Sequence, residues 1–343
     1  MKVARLYGPL DLRIEDDEIP KPGPGEALIE VKAAGICGSD VHYYVDGRIG
    51  DVVVREPIVL GHEFSGVVRE LGPGVEGLEV GMRVAVEPGI PCWKCEFCRR
   101  GDYNLCPDMK FCGTFPIDGC YKEYHVHPAE LLFPMPSDMS FEEGAMIEPL
   151  SVSVHAVDLA RIRPGAKVAV LGAGSIGLTV LQMAKATGAS EIYVTDKLEP
   201  RLRMALKLGA TEAIKVSDGG AVGPIKELTS GRGADVVFEA AGAPETPGEA
   251  VEIAKPGGAV IIIGIPEEDR ISFAASPARR KGLTIRMIRR MRGTYPRSID
   301  LISRGIVDVA SLVTHRFKLD RIEEAFELVR NYRDGVVKAV VEL

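Results

Sequence analysis

Lys167-Val168-Ala169-Val170-Leu171-Gly172-Ala173-Gly174-Ser175-Ile176-Gly177 runs from an apolar strand into a glycine-rich turn and then into a helix-period segment, Ile176–Thr187. The glycines follow the G-x-G-x-x-G spacing of a dinucleotide-binding turn. Gly172 permits the tight turn, Gly174 lets the backbone approach a pyrophosphate, and Gly177 lets helix and strand pack closely. Such a turn alone is a weak signal. Here the next expected strand, Glu191–Thr195, runs into Asp196, 19 residues beyond Gly177. A carboxylate there accepts hydrogen bonds from the adenosine ribose hydroxyls and repels a 2′-phosphate, so the motif calls for NAD over NADP. The helix N-terminus stabilises the diphosphate with its free N–H groups and positive dipole end. Lys197 and Arg201 soften the repulsion of a 2′-phosphate. The expected cofactor contacts are Gly172, Gly174, Ile176, Gly177, Asp196, Arg201, Ile263, Gly264 and Ile265.

Outward from this turn, residues 151–289 alternate strand-like and helix-like segments. Further strands are expected at Glu212–Val216, Asp235–Glu239, Ala259–Gly264 and Leu283–Ile288, and a helix at Glu199–Leu208. The strands are almost continuously apolar, as buried parallel strands are. Six strands alternating with helices make a doubly wound parallel sheet, an α/β fold. Residues 1–150 read as short β-runs (Ala27–Val31, Phe64–Leu71, Arg83–Val86) broken by turns such as Lys21-Pro22-Gly23-Pro24-Gly25. Residues 290–343 carry amphipathic stretches, Arg297–Arg304 and Leu319–Tyr332, and a last strand, Gly335–Glu342, and are placed back with the first domain.

The composition is that of a globular protein, with 46% apolar and 27% charged residues over 343 positions and a net charge of -7. That charge gives no hint of a nucleic-acid or membrane-surface partner, so neither is expected, and no apolar run is long enough to span a bilayer. With no charged-then-apolar leader at Met1–Leu6, a cytoplasmic location is the default. One glutamine (Gln182) and two asparagines (Asn104, Asn331) are a depletion of thermolabile amides expected of a thermophile.

The seven cysteines are odd in number, and four crowd into Cys92, Cys95, Cys98 and Cys106. Two-residue spacers let these thiolates converge on one tetrahedral ion, and four cysteines leave no open coordination position. The expectation is a structural zinc site; iron–sulfur ligation also uses four cysteines, but nothing else in the sequence points to electron transfer. A second set is dispersed: Cys37 in Gly35–Asp40, His62-Glu63 in Gly61–Phe64, and Glu148 in Ile147–Val152. Taken singly, each reads as a core cysteine, a hydrogen-bonded histidine or a helix-capping carboxylate. Bracketing a cysteine-rich lobe and followed by a dinucleotide fold, they make a mixed sulfur, nitrogen and oxygen set suited to a catalytic zinc.

These motifs, with Val41-His42-Tyr43-Tyr44, Gly47-Arg48-Ile49-Gly50, Phe111-Cys112-Gly113-Thr114, Glu142-Glu143-Gly144-Ala145 and Leu312–Phe317, make the chain resemble the zinc-containing medium-chain alcohol dehydrogenases, and among them the sorbitol (polyol) dehydrogenases. The resemblance runs nearly end to end. It implies a GroES-like catalytic domain formed by both chain ends, a Rossmann domain between, an active site in the cleft where they meet, and a homotetramer. It also implies that Cys37, His62 and Glu63 are catalytic zinc ligands, and that Glu148 binds the metal or holds its water. Ordinary alcohol dehydrogenases carry a second cysteine at that position. Asp40 matches a carboxylate that orients a ligand. Ser39 matches the hydroxyl that takes the substrate proton, and His42 the end of a relay to solvent. Tyr43 and Arg290 match substrate-contacting positions, although the tyrosine expected after Arg290 is Met291 here.

The expected chemistry is reversible oxidation of a secondary alcohol of a polyol to a ketone. It needs a Lewis acid to acidify the hydroxyl, a proton path out, and a nicotinamide held against the carbinol hydrogen. An L-threonine or butanediol dehydrogenase is the nearest alternative. A non-catalytic relative would have lost ligands, and a quinone-reductase-like enzyme would lack both zinc sites. The basic run Arg279-Arg280-Lys281 with Arg286, Arg289, Arg290 and Arg292 reads chiefly as a solvated face. His125, His127, His155 and His315 read as structural histidines, and Cys112 and Cys120 as packed thiols.

Overall fold

In the computed structural model, which describes residues 1–217, 220–266 and 268–343, the chain divides into two compact units. One comprises residues 1–148, 292–304 and 309–343, and the other residues 149–291 and 305–308.

The second unit is built on six parallel strands among the described residues. Their order is Glu212–Lys215, Glu191–Asp196, Lys167–Leu171, Ala234–Glu239, Ala254–Ile262 and Thr284–Met287. The strand that enters the glycine turn is thus central, with the chain moving outward on one side and then on the other. This is the doubly wound order, in which the strand order reverses at the C-terminal end of the first strand. Val168, Ala169, Val170 and Leu171 are wholly buried, which accounts for the unbroken apolar run. The helix Ser175–Ala186 follows the turn, and Glu199–Leu208 ends on Gly209 in the left-handed conformation. The strand expected over Ala259–Gly264 begins earlier, at Ala254, with a register shift that carries its Pro-Gly-Gly segment, and it stops at Ile262. Residues 305–308 join this unit through Gln182, whose Nε2 donates to the Asp308 carbonyl (3.1 Å) and whose Oε1 accepts from the Asp308 N–H (2.7 Å).

The first unit is organised by a mixed sheet. Its path runs Leu132–Pro134, Arg83–Val86, Glu63–Leu71, Glu26–Gly35, Lys338–Glu342 and Val313–Lys318, and Tyr124–Pro128 also pairs with Glu26–Gly35. The chain's last strand therefore lies directly beside one of its first. Ile29, Val31, Phe64, Tyr121, Phe326 and Val341 lie in one apolar core. The helix Ile322–Arg330 covers it, with Phe326 packed on Tyr44 at a ring separation of 4.9 Å. The helical stretch expected over Leu319–Tyr332 opens with a tighter turn at Leu319–Arg321, and the last strand starts at Lys338 rather than Gly335. No helix among the described residues is long and apolar enough to cross a membrane.

Candidate active site and metal centres

The nucleotide loop of the second unit follows from its glycines. Gly172 has φ +98°, a left-handed value that strains any other residue, and a Cβ there would press on the Ala240–Ala241 backbone. A Cβ at Gly177 would run into the Gly172 carbonyl, so this glycine sets how closely the helix approaches the strand. Gly174 is different. Its position is open, with only Arg201 Nη1 3.9 Å from where a Cβ would sit, and it caps a helix whose N-terminus has no side-chain cap. Open space beside unfilled helix N–H groups and a guanidinium is a cradle for a diphosphate. Asp196 Oδ2 accepts from the Ala173 N–H (2.7 Å) and Oδ1 from the Leu198 N–H (2.8 Å). Each oxygen keeps a lone pair for a ribose hydroxyl. Ile263 and Gly264 donate their N–H groups to the Glu239 carbonyl (2.8 and 3.1 Å), which fixes the strand-end segment, and Ile265 beyond them is exposed. Ile176 lies in the first turn of the same helix.

In the first unit the structure brings together Cys37, His62 and Glu63, whose ligating atoms lie within 4.8 Å of one another. Cys37 precedes the helix Gly38–Asp46, and His62 and Glu63 sit at the start of the strand Glu63–Leu71. Gly35 faces them, and a side chain there would collide with the Glu63 carboxylate.

Asp40 organises the group. Its carboxylate is buried and accepts from the Cys37 N–H (3.1 Å), the Gly61 N–H (3.1 Å) and the Tyr121 hydroxyl (2.8 Å). His62 Nδ1 lies 3.4 Å from Asp40 Oδ1, so Nε2 is the ring atom left to ligate. Burial alone would raise the pKa of Asp40, but His62 and these donors hold it below the usual carboxylate range. Burial would likewise lower the pKa of His62, yet the charges of Asp40 and Cys37 keep it well above the ordinary histidine value. A site that holds a proton this firmly attracts a cation. Thiolate, imidazole and carboxylate are a donor set that suits zinc.

Two supporting residues gave no signal in the spacing of the ligands. Tyr121 shares its single hydroxyl proton between Asp40 (2.8 Å) and the Gly35 carbonyl (2.9 Å). Lys338, 3% exposed, donates to both Glu63 oxygens (2.8 and 2.7 Å) and to the Ile36 carbonyl (3.1 Å). Burial opposes its charge, but Glu63, Cys37 and Glu148 raise its pKa above the usual lysine value. A lone lysine in the apolar run Val336-Val337-Lys338-Ala339-Val340 was the available clue.

Glu148 is buried in the first turn of the helix Ile147–Ala160. It bears electrostatically on Lys338 and Tyr295 but is not one of the three residues within ligating span of one another. Ser39, His42 and Tyr43 all lie on the helix Gly38–Asp46. Tyr43 is buried, Ser39 is half-buried, and half-buried His42 pairs with Asp46 (Nδ1 to Oδ2, 3.8 Å). Arg290 belongs to the second unit, after its last strand, with a left-handed backbone (φ 54°), and Met291 beside it is buried. In the basic run, Lys281 donates to the Val251 and Glu252 carbonyls (2.9 and 2.8 Å) and so caps the end of the helix Thr246–Ile253 instead of facing an anion.

The quartet Cys92, Cys95, Cys98 and Cys106 is also assembled, with sulfurs within 4.8 Å of one another. Its loops are cinched by N–H to sulfur bonds, Cys92 N to Cys106 Sγ (3.3 Å) and Cys98 N to Cys95 Sγ (3.5 Å). Backbone N–H groups of Lys94 and Cys95 draw the Cys92 pKa down to about 7, whereas burial and neighbouring thiols push Cys98 up to about 12. Four thiols whose ionisation is split this way need a shared cation to ionise together.

Residues 23–137 match the alcohol dehydrogenase GroES-like domain and residues 175–304 the zinc-binding dehydrogenase family. The sorbitol dehydrogenase of Bacillus subtilis (strain 168) is 40% identical over 342 residues, covering 99% of this chain and 97% of its own. Among solved structures, an oxidoreductase/dehydrogenase of unknown specificity from Escherichia coli superposes with a TM-score of 0.93 at 38% identity, covering 99% of this chain and 98% of that one. The 2R,3R-butanediol dehydrogenase of Bacillus subtilis does so with a TM-score of 0.89 at 36% identity, covering 100% and 99%. With a zinc-type donor set in a GroES-like unit and a dinucleotide cradle in a Rossmann unit, this chain belongs to the zinc-dependent medium-chain alcohol dehydrogenase family.

Proposed function

We propose that this enzyme oxidises a secondary hydroxyl of a polyol to a ketone, reversibly, with NAD as the hydride acceptor. The observation that carries the reading is the buried carboxylate Glu148, which bears on the same lysine that holds Glu63. A second buried carboxylate bearing on the lysine that supports the centre departs from the cysteine-rich sets of simple-alcohol enzymes, and the likeness to the Bacillus sorbitol dehydrogenase supports the same substrate class.

Bound zinc and NAD would supply, respectively, the Lewis acid that acidifies the hydroxyl and the acceptor for its hydride. Cys37 and His62, with Glu63 or Glu148, would hold the zinc, and Gly172, Gly174, Ile176, Gly177, Asp196, Arg201 and Ile263–Ile265 the NAD. Asp40 fixes the ring of His62 through Nδ1. Lys338 neutralises Glu63 and leaves Glu148 as the carboxylate able to move toward the metal or hold a water. Ser39 accepts the hydroxyl proton and His42, beside Asp46, returns it to solvent. Tyr43 and Arg290 receive the remaining hydroxyls of the polyol. The structural zinc sits in the cysteine quartet. A homotetramer in the cytoplasm of a heat-adapted organism completes the reading.

NAD-coupled assays on sorbitol, xylitol, threonine, 2,3-butanediol and simple alcohols test the substrate class. Preferred turnover of sorbitol or xylitol is expected, and preference for butanediol, as the likeness to that dehydrogenase would favour, or for threonine overturns it. Cys37→Ser and His62→Ala should each abolish turnover while NADH binding, followed by fluorescence, persists.

A further inference from the structure

A third group of ligating atoms lies in the first unit, apart from both sets above. His125 and His127 are two residues apart on the strand Tyr124–Pro128, so their rings share one face of it. Cys112 follows the short strand Lys110–Phe111, its N–H donating to the Pro88 carbonyl (3.1 Å). Its Sγ lies 3.6 Å from His125 Nε2 and 3.8 Å from His127 Nδ1. All three side chains are shut off from solvent, and the Phe64 ring stands edge-on to His125 at 5.1 Å. Read singly in the sequence, they pass for packed thiol and structural histidines. The fold makes them a cluster.

Two features suit this cluster to a metal ion. The first is separation. Bonds of about 2.3 Å to sulfur and about 2.0 Å to nitrogen, at tetrahedral to trigonal angles, set ligand atoms roughly 3.5–3.8 Å apart. The second is ring orientation. His127 Nε2 donates to the Glu87 carbonyl (2.9 Å), which leaves the Nδ1 lone pair aimed at the sulfur.

Charge selects the ion. One thiolate and two neutral imidazoles carry a single negative charge. A monovalent cation cancels it, whereas a divalent one leaves a net positive charge in a closed core, where the positive Lys122 already bears on His125. Zinc in a closed site asks for four protein ligands, whereas this group offers three and is shut off from the water that completes an open zinc site. A thiolate with two imidazoles is a soft set.

We propose that Cys112, His125 and His127 form a third metal site, which takes a monovalent soft cation, Cu(I), in a shell of one sulfur and two nitrogens. Binding releases the Cys112 thiol proton to solvent, one per ion. His125 then carries its N–H on Nδ1, a buried atom without a hydrogen-bond partner among the described residues.

The test loads the purified zinc-containing enzyme with Cu(I) under argon from a bicinchoninate complex, then measures copper and zinc per chain in wild-type and Cys112→Ser protein. One more copper per chain in the wild-type protein, with zinc unchanged, is the expected result. Equal copper in the two proteins, or a third zinc in the wild-type, overturns the proposal. X-ray absorption at the copper edge of the wild-type protein needs no variant. A shell of one sulfur and two nitrogens supports the site, and an all-sulfur shell, the mark of copper lost to the cysteine quartet, overturns it.

Discussion

The cysteine quartet and the Cys37–His62–Glu63 group sit in the same unit and are built in opposite ways. The quartet draws its ligands from fifteen consecutive positions and closes with backbone N–H to sulfur bonds inside that segment. The other group takes ligands from two segments and depends on Asp40, on Tyr121 and on Lys338, which is 275 residues from Glu63. A centre made of one short loop carries its own support. A centre made by a sheet borrows support from the rest of the unit, and its fate is tied to that fold.

Lys338→Met attacks this difference at its strongest point. It strands the Glu63 carboxylate in a closed core, and removing one partner of a buried pair costs about 3–5 kcal/mol. Denaturant unfolding should show that loss, and turnover should fall at least tenfold with the zinc of the Cys37 group lost. An unchanged midpoint would mean that the two centres are equally self-supporting. Cys98→Ser is the complementary break. It should remove about one zinc per chain and make the loop around residues 92–106 sensitive to protease, while NADH binding in the other unit is kept. Tyr121→Phe deletes one donor to Asp40 and to the Gly35 carbonyl, for a loss of about 1–2 kcal/mol by the same unfolding measurement.

The smallest effect sharpens the contrast between buried and half-exposed charge. Asp235 pairs with Arg232 (2.9 Å) and Lys255 and accepts from the Lys167 N–H (2.9 Å). Burial would raise its pKa, but these partners hold it well below the usual carboxylate value. Such a group stabilises the fold above its unfolded pKa, and that stability is lost as pH falls through the lower folded value. Because Arg232 is about half exposed, solvent screens the pair, and Asp235→Asn should cost only about 1 kcal/mol near pH 7. The gap between the unfolding curves of the two proteins should start to narrow as pH falls below about 4, where the unfolded chain's carboxylate takes up its proton, and close only as pH passes the lower folded value.

The same contrast explains what could be read from the sequence. Strands such as Lys167–Leu171 and the helix Glu199–Leu208 were legible because burial on both faces and left-handed glycine caps are local properties. The nucleotide turn was legible because its glycines, helix and acid fall within one short unit. The quartet declared itself through spacing. Lys338 and Tyr121 did not, since their roles exist only once the strand Lys338–Glu342 lies against Glu26–Gly35. The return of residues 305–308 to the second unit was illegible for the same reason, because it hangs on the side chain of Gln182. Cys112, His125 and His127 show the limit most sharply. Their two-residue spacing puts the histidines on one face only once Tyr124–Pro128 is known to be a strand, and nothing in the chain's order placed a thiol between them.

The position of the final strand also sets an order of events during synthesis. A ribosome releases all four cysteines of the quartet, and the ligands Cys37, His62 and Glu63, before it begins the parallel sheet. The strand that carries Lys338 emerges after both of its neighbours and must insert between Glu26–Gly35 and Val313–Lys318. Long-range pairing of this kind is slow compared with closing a short loop. The nascent chain can therefore load its quartet early. The Cys37 centre, by contrast, stays unlocked until Lys338 has emerged and its strand has paired, so the two centres close at different stages of synthesis.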